Sequence, residues 1–283
     1  MTTNTTNDMP PHEALAMLLR LLKLPTFASS YEEVARIAER QGWSFGQGLR
    51  HLCELEVQER RRRRIDRLLK ASELPADKTL GTLERRRLPA KARAQLASLC
   101  EGDFVGRAEN VLVFGLPGRG KTHFVSALGH ELVRRGHSVL FVPTYLLVQQ
   151  LLRAKRDLVL ERELARLDGF DAVILDDIGY VQQDRDEMEV LFTFLAQRYE
   201  RRSVLITSNL VFSKWDRIFK DPMTTAAAID RLVHHSIVVE MNGPSIRNEE
   251  ALTRNGAKEG ITTESAIETT NPTDDNNQPN GEV

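Results

Sequence analysis

The residues best suited to chemistry form one glycine-rich segment, residues 115–122, which fits the pattern G-x-x-x-x-G-K-[ST] without a mismatch. Glycines in this pattern let backbone N–H groups surround phosphate oxygens, while Lys121 adds a charge and Thr122 offers a hydroxyl to magnesium. A chance glycine-rich turn is the alternative, but an apolar run precedes the segment and a helical pattern follows it. The residues predicted to surround phosphates are Gly115, Leu116, Pro117, Gly118, Arg119, Gly120, Lys121, Thr122 and His123.

Two adjacent carboxylates, Asp176 and Asp177, follow a second apolar run at 172–175. In enzymes with a phosphate loop, an aspartate at such a strand end holds magnesium together with the loop hydroxyl. We therefore predict that Asp176 and Thr122 are magnesium ligands and that Asp177 orients and polarises an attacking water. Taken alone, the pair could equally form a strand-ending turn, but the phosphate loop upstream favours the functional interpretation.

Three further polar residues are candidates for the same chemistry. Asn209 ends the apolar run 204–207, at the edge where open α/β sheets bind ligands, and we predict that it holds the lytic water or the γ-phosphate. A capping asparagine is the alternative.

Arg231 is the first candidate, and Arg247 the second, for an arginine that stabilises transition-state charge in a neighbouring subunit. An arginine paired with a local acid is an equal alternative. Lys121, Asp177, Asn209 and Arg231 are thus the predicted catalytic residues.

The composition, with 39 basic and 40 acidic residues among 283, is ordinary for a soluble globular protein, and we expect a cytoplasmic one. No apolar run is long enough to span a membrane, and the N-terminus lacks the pattern of a signal peptide. Cys53 and Cys100 show no metal spacing, so we expect buried, reduced thiols. The seven histidines form no ligand pattern either, and His234 and His235, being adjacent, should point to opposite faces.

Positive charge is concentrated between Arg60 and Arg93, where thirteen lysines and arginines stand against four acidic residues. Five arginines are consecutive, so on a helix they must surround it, and some should not face solvent unless something anionic or a second chain covers them. The alternative is a solvated helix whose arginines pair with Glu54, Glu56 and Glu59.

The order of patterns divides the chain into a helical part and an α/β part. We predict disorder at 1–11, a helical domain at 12–72, a linker at 73–108 with a short helix at 89–99, a core at 109–250 and a disordered tail at 251–283. Within the helical domain, the second helix should begin at Ser30 with a capping box to Glu33, and the third at Ser44. The inward positions of the third helix are predicted as Leu49, Leu52, Leu55, Ile65, Leu68 and Leu69.

Short strands alternate with helices in the predicted core, which indicates a parallel sheet with helices on both faces. The predicted strands are residues 111–115, 138–142, 172–176, 204–207 and 237–241. The sequence is thus assigned to the α/β class.

The motifs together resemble the IstB-type transposition helper ATPases, relatives of the DnaC helicase loaders within the AAA+ class. The resemblance is carried by the phosphate loop, residues 176–180, the strand end 207–209 and residues 230–235, and it extends over the N-terminal part from about residue 12. It implies a P-loop NTPase (AAA+) core, without the usual C-terminal helical lid, behind a small all-α domain used for assembly and DNA binding.

Membership would imply ATP and Mg²⁺ as cofactors and an ATP- and DNA-dependent homo-oligomer that regulates a cognate transposase and directs insertion. The protein would bind double-stranded DNA largely without sequence preference and would associate with the nucleoid when on DNA. No membrane partner is expected. Many AAA+ proteins carry glutamate where this chain has Asp177, and the shorter side chain suggests slow hydrolysis. The arginines expected to contact DNA phosphates are Arg60, Arg61, Arg62, Arg63, Arg64 and Arg67, here called the basic run.

Two other functions fit the same residues. A DnaC-like helicase loader would have the same core, and only the N-terminal resemblance argues against it. A nucleotide-gated adaptor, in which hydrolysis is incidental, would also use the phosphate loop.

Overall fold

Three helices precede an alternation of strands and helices in a computed structural model that describes residues 10–180, 185–210 and 232–242. The helices are α1 (Pro11–Leu21), α2 (Pro25–Gln41), α3 (Phe45–Ala71), α4 (Ala90–Leu99), α5 (Asp103–Gly106), α6 (Lys121–Arg134), α7 (Thr144–Arg156), α8 (Leu160–Asp168) and α9 (Arg185–Arg198). The strands are β1 (Asn110–Phe114), β2 (Val139–Pro143), β3 (Ala172–Asp176), β4 (Ser203–Ser208) and β5 (Ser236–Glu240). Single 3₁₀ turns lie at Arg85–Arg87 and Ile178–Tyr180.

All five strands belong to one parallel sheet with the order β2-β3-β4-β1-β5. In the register, Val111 of β1 lies opposite Leu205 of β4 and Ile237 of β5. The five predicted strands are therefore confirmed, each within about one residue of its predicted ends. Because the strands are parallel, all their carboxyl ends lie at one edge of the sheet, where a ligand site is expected.

Both faces of the sheet are buried, which explains why the strands are continuous apolar runs. Val111 and Val113 face a cluster that includes α4 and α6, whereas Leu112 and Phe114 face a cluster that includes α7, α8 and α9. These four side chains of β1 are buried. The prediction of helices on both faces is confirmed, and β1 is held rigidly beneath the loop that follows it.

A buried guanidinium joins the elements around β3. Arg198 is 1% exposed and donates hydrogen bonds to the carbonyl oxygens of Leu167 (2.9 Å), Phe170 (2.9 Å) and Ser203 (3.0 Å). Burial lowers the pKa of Arg198 to about 10, which still leaves the group charged at neutral pH. The ends of α8 and α9 are thereby fixed to the start of β4.

The long helix α3 connects the N-terminal helices to the core. It begins as predicted, because the Ser44 side chain accepts a hydrogen bond from the Gln47 N–H and the Gln47 side chain accepts one from the Ser44 N–H. Ile65 and Leu68 pack against the core cluster under α6. At its end, the Ser72 carbonyl accepts a hydrogen bond of 2.7 Å from Phe141 N.

Two expectations for these helices are wrong. The second helix begins at Pro25 and not at Ser30, because proline at the first helical position suits the helix start, so Ser30 is internal and forms no capping box with Glu33. Leu49 and Leu69 are 43% and 41% exposed instead of inward-facing. The reason is that α3 packs against α2 over its first part and against the core over its second, so no single stripe is buried along its length.

One of the two cysteines also differs from expectation. Cys53 is exposed on α3 and not buried as expected. Cys100 is half-buried, and burial raises the pKa of its thiol to about 11. Cys100 is therefore protonated at neutral pH, as expected for an inert thiol.

Several predictions lie outside the described residues. These include the disordered tail at 251–283, most of the N-terminal segment, Arg231 and Arg247. The domain boundaries stay predictions. Within the described parts of the chain, no helix has both the length and the apolar character needed to cross a bilayer.

Candidate functional site

The phosphate loop connects the end of β1 to the start of α6, at the carboxyl edge of the sheet. Gly120, directly before α6, has a φ of +79°, a conformation that favours glycine. At Gly115, an added Cβ would lie 2.7 Å from the carbonyl oxygen of Met241, so the chain after β5 leaves no room for a side chain. The glycines thus let the loop close tightly over the sheet and open the helix N-terminus toward an anion.

Lys121 places its ammonium group inside the curve of this loop. Its Nζ donates hydrogen bonds to the carbonyl oxygens of Gly115 (2.7 Å) and Leu116 (3.2 Å). Arg119 instead donates from Nη1 to the Met241 carbonyl at 3.3 Å, which ties the loop to the end of β5. Lys121 is therefore the cation that a phosphate chain in the loop would meet.

The Asp176 carboxylate links the loop to two neighbouring strands. Its Oδ1 accepts hydrogen bonds from the hydroxyl of Thr122 (3.0 Å) and from the hydroxyl of Thr207 (2.7 Å). The Thr207 hydroxyl in turn accepts a hydrogen bond of 2.8 Å from the backbone N–H of Asp177. Carboxylate and hydroxyl oxygens are the ligands that Mg²⁺ prefers, so Thr122 and Asp176 fit the role predicted for them.

Asp177 and Asn209 complete the polar side of the site. Asp177 has a φ of +61°, which is uncommon outside glycine and is often found where function imposes a backbone conformation. Asn209 lies against the Gly179 backbone, since a Cβ at Gly179 would be 2.2 Å from Asn209 Oδ1. This buried oxygen has no hydrogen-bond partner among the described residues, as expected for a group that meets a polar ligand.

A cavity of about 360 Å³ lies over the phosphate loop. One wall consists of the loop, the start of α6, Asp177, Thr207 and Asn209. The opposite wall comes from the linker, through Lys78, Thr82, Leu83, Glu84 and Leu88.

The linker wall was not predicted. His123 holds it in place, because His123 Nε2 lies 3.1 Å from Thr82 Oγ1 and 3.3 Å from the Thr79 carbonyl oxygen. Leu83 and Leu88 give this side an apolar surface suited to a base, while the loop side suits phosphates. No short sequence pattern marks the linker, since its role depends on how it folds back over α6.

The structure thus brings together Lys121, Thr122, Asp176, Asp177 and Asn209, whereas the basic run lies apart on α3. All six arginines of the basic run are exposed on the chain itself, so none of them points into its core, and the expectation that an anion or a second chain covers some of them stays a prediction. Ile65 and Leu68 provide the contact with the core, and the long arginine side chains reach around the helix into solvent.

About half of the charge of the basic run is neutralised locally. Arg60 pairs with Glu56 at 2.7 Å, and Arg62 and Arg63 both pair with Glu59. Hydrogen bonds from Arg62 and Arg63 lower the pKa of Glu59 to about 2. The predicted alternative of local pairing is therefore realised for three arginines, although Glu54 pairs with Arg50 and not with the run.

The other three arginines have no carboxylate partner among the described residues. Arg64 donates to the Gly136 carbonyl oxygen (3.1 Å) and Arg67 to the Arg63 carbonyl oxygen (3.3 Å), both neutral acceptors. Arg61 has no ionic partner in the described part of the chain. An open cleft of about 640 Å³ is lined by Arg60, Arg63, Arg64, Asp66 and Arg67.

Comparison with known proteins gives one consistent family. The family model described as IstB-like ATP binding protein matches residues 17–253. A Sinorhizobium fredii protein named as an insertion sequence ATP-binding protein is 43% identical over 239 residues, 84% of this chain and 80% of that protein. The ATP-binding protein named for insertion sequence IS21 of Pseudomonas aeruginosa is 36% identical over 239 residues, 84% of this chain and 90% of that protein.

Solved structures share the fold at low sequence identity. DnaI has a TM-score of 0.50 and 20% identity, covering 60% of this chain and 95% of its own. Domain III of the Thermotoga maritima replication initiation protein DnaA has a TM-score of 0.51 and 15% identity, covering 67% of this chain and 77% of its own. The predicted fold class, a P-loop AAA+ core behind N-terminal helices, is confirmed.

Replacing Thr207 with valine tests the link between the acidic pair and the loop. The change removes the hydroxyl that donates to Asp176 and accepts from the Asp177 N–H. Because the partners of metal ligands are worth about 10–100-fold in metal affinity or activity, we expect the magnesium-dependent affinity for ATP to fall by about tenfold or more. This affinity is measured by titrating a fluorescent ATP analogue at several magnesium concentrations.

Ser208→Ala is the matched control for this change. It removes a buried hydroxyl from the next position of β4, but this hydroxyl bonds to the Leu210 backbone and not to the acidic pair. Equal losses in the two variants would mean that any disturbance of β4 has the same effect, which would contradict a specific role for Thr207.

Proposed function

The chain belongs to the family of IstB-like ATP binding proteins, and from this premise we propose that it is an ATP-dependent helper protein of transposition. In this proposal it oligomerises on DNA, regulates the partner transposase and directs insertion at the target site. The observation that carries the proposal is the nucleotide site, in which Lys121 lies inside the loop and Asp176 joins Thr122 to Thr207.

ATP would lie in the cavity with its phosphates along the loop and its base against the linker wall. Thr122 and Asp176 would hold Mg²⁺, which neutralises developing charge on the β- and γ-phosphates when bound. Lys121 would leave the carbonyl oxygens of its own loop for phosphate oxygens, which are stronger, charged acceptors.

Hydrolysis requires a positioned water as well as charge stabilisation. Asp177 would orient and polarise that water for attack on the γ-phosphorus, and the bond from phosphorus to the bridging oxygen of ADP would break. Asn209 would hold the water or the γ-phosphate through its side-chain amide, whose oxygen is buried. The short reach of Asp177 suits slow turnover.

An arginine from a neighbouring subunit would supply the remaining positive charge. Arg231 is the first proposed residue and Arg247 the second. Such an arginine is worth about 10³–10⁵ in rate in related chemistry, so hydrolysis would depend on assembly.

Duplex DNA is the proposed partner of the basic run. Arg61, Arg64 and Arg67 have no carboxylate partner among the described residues, so their charge is available for phosphates. Contacts of this kind position a protein without reading sequence, which supports largely sequence-neutral binding.

Assembly and transposase contact are proposed for the N-terminal helices. Apolar side chains on α1 and at the start of α3 are exposed, including Leu18, Leu21 and Phe45, the last at 86%. In the proposed interfaces, another protein chain would cover these apolar side chains. The likeness to DnaI and DnaA shows the fold alone and does not favour a helicase loader.

Asp177→Asn tests whether hydrolysis drives the function. The variant keeps the shape of the side chain but removes its negative charge, so ATP binding should be retained while turnover falls by about 10²–10⁴-fold, the usual worth of such a group. Phosphate release and nucleotide affinity are measured in parallel, with DNA present. Target-directed insertion should fall with turnover.

Asp177→Glu is the companion variant, because its longer side chain should speed a turnover that is limited by reach. A slower glutamate variant would contradict that limit. If Asp177→Asn still assembled with ATP and supported insertion as the wild type does, hydrolysis would be incidental and the protein would be a nucleotide-gated adaptor.

The DNA proposal predicts unequal roles within the basic run. Each phosphate neutralised contributes about 0.9 to the slope of log affinity against log salt. Arg61→Ala with Arg67→Ala should therefore flatten the slope by up to about 1.8, measured by fluorescence anisotropy on duplex DNA over a range of salt concentrations.

Arg62→Ala with Arg63→Ala is the control pair, since both side chains are already paired with Glu59. This pair should change the slope less. An unchanged slope in the Arg61 and Arg67 double variant would place the DNA contact elsewhere in the molecule.

A further inference from the structure

Three metal-ligating side chains meet far from the nucleotide site. Glu200, His234 and His235 each offer one ligand atom, and these atoms lie within 4.8 Å of one another. His235 Nε2 is 3.2 Å from Glu200 Oε1, and the two histidine rings are 4.3 Å apart between centroids, at 79°. The sequence-based expectation that His234 and His235 point to opposite faces is wrong, because the two rings lie against each other. A helical turn at 232–234 ends and β5 begins at Ser236, so the backbone bends between the two rings.

The main chain around this cluster is well fixed. The His235 carbonyl oxygen accepts a hydrogen bond of 2.7 Å from Asn110 N, and the buried Asn110 side chain reaches the Leu232 carbonyl oxygen at 3.4 Å. The cluster therefore lies where β1 and β5 begin, at the edge of the sheet opposite the phosphate loop. It cannot share a metal ion with Thr122 and Asp176.

Glu200 is presented to the histidines by an unusual backbone conformation. It follows the end of α9 with a φ of +55°, in the left-handed region that few side chains adopt. The next two residues, Arg201 and Arg202, pair with Asp168 (2.8 Å) and Asp171 (2.6 Å), so neither neutralises Glu200. Tyr199 Oη lies 3.4 Å from His234 Nδ1, which gives that ring a polar neighbour to restrain its orientation.

We propose that Glu200, His234 and His235 bind one divalent transition-metal ion of the zinc type. Two imidazole nitrogens and one carboxylate oxygen suit Zn²⁺, Cu²⁺ or Ni²⁺, whereas Mg²⁺ prefers oxygen ligands alone. All three side chains are exposed, so water would complete the coordination sphere. The ion would join the end of α9 to the segment that leads into β5. The alternative is a simple ion pair between His235 and Glu200.

Zinc binding to the full chain, without nucleotide or DNA, tests the proposal. We expect isothermal titration to show that the wild type binds one equivalent of Zn²⁺. The affinity for Zn²⁺ should be at least about tenfold lower in His234→Ala or His235→Ala, and Glu200→Gln should lower it less. Zinc should also raise the melting temperature of the wild type but not of the double histidine variant, because a ligand that binds only the folded state stabilises it.

His12→Ala is the matched control, because His12 is also exposed and lies beside a carboxylate, Glu13. It should bind zinc as the wild type does, and so should Lys121→Ala, which separates this proposal from the nucleotide site. The proposal is overturned if the wild type binds zinc no more tightly than the double histidine variant, or if Mg²⁺ at equal concentration gives the same stabilisation. Circular dichroism of each variant confirms that the fold is intact.

Discussion

One carboxylate oxygen, Asp176 Oδ1, connects the elements on which the nucleotide site depends. It accepts hydrogen bonds from Thr122, at the start of α6, and from Thr207, at the end of β4. The strand order explains this arrangement. Because β4 lies between β3 and β1, and neighbouring strands are about 4.8 Å apart, a side chain from β4 is the natural link between Asp176 and the phosphate loop. Without Thr207, only the hydrogen bond from Thr122 would join Asp176 to the loop, and the Asp177 N–H would lose its acceptor.

The rest of the fold holds these groups in place from both sides. Buried apolar strands leave β1 little freedom, and Met241 closes the space above Gly115 from the other neighbour, β5. The linker covers the cavity and is held by His123 at the start of α6. The linker thus connects the end of α3 to one wall of the cavity.

The sequence predicts the groups that are local in the chain and misses those that depend on distant contacts. The phosphate loop, Asp176 and the five strands follow from short patterns, and the structure has them as expected. The role of Thr207 and the linker wall could not be predicted, because they depend on strand order and on chain reversal. The exposure of Leu49 and the meeting of His234 with His235 differ from expectation because helical periodicity does not show where a helix loses its partner or ends. The exposure of Cys53 differs because the absence of metal spacing does not show which face of a helix a cysteine occupies.

The most direct test of the account is the affinity of purified protein for ATP, measured with magnesium by isothermal titration for the wild type and for Lys121→Ala. The account predicts clear binding by the wild type and a loss of at least about tenfold in the variant, since an interaction of a charged group with phosphate is worth about 1.5–3 kcal/mol. A wild type that binds no adenine nucleotide, or a variant that binds it equally well, would contradict the central claim.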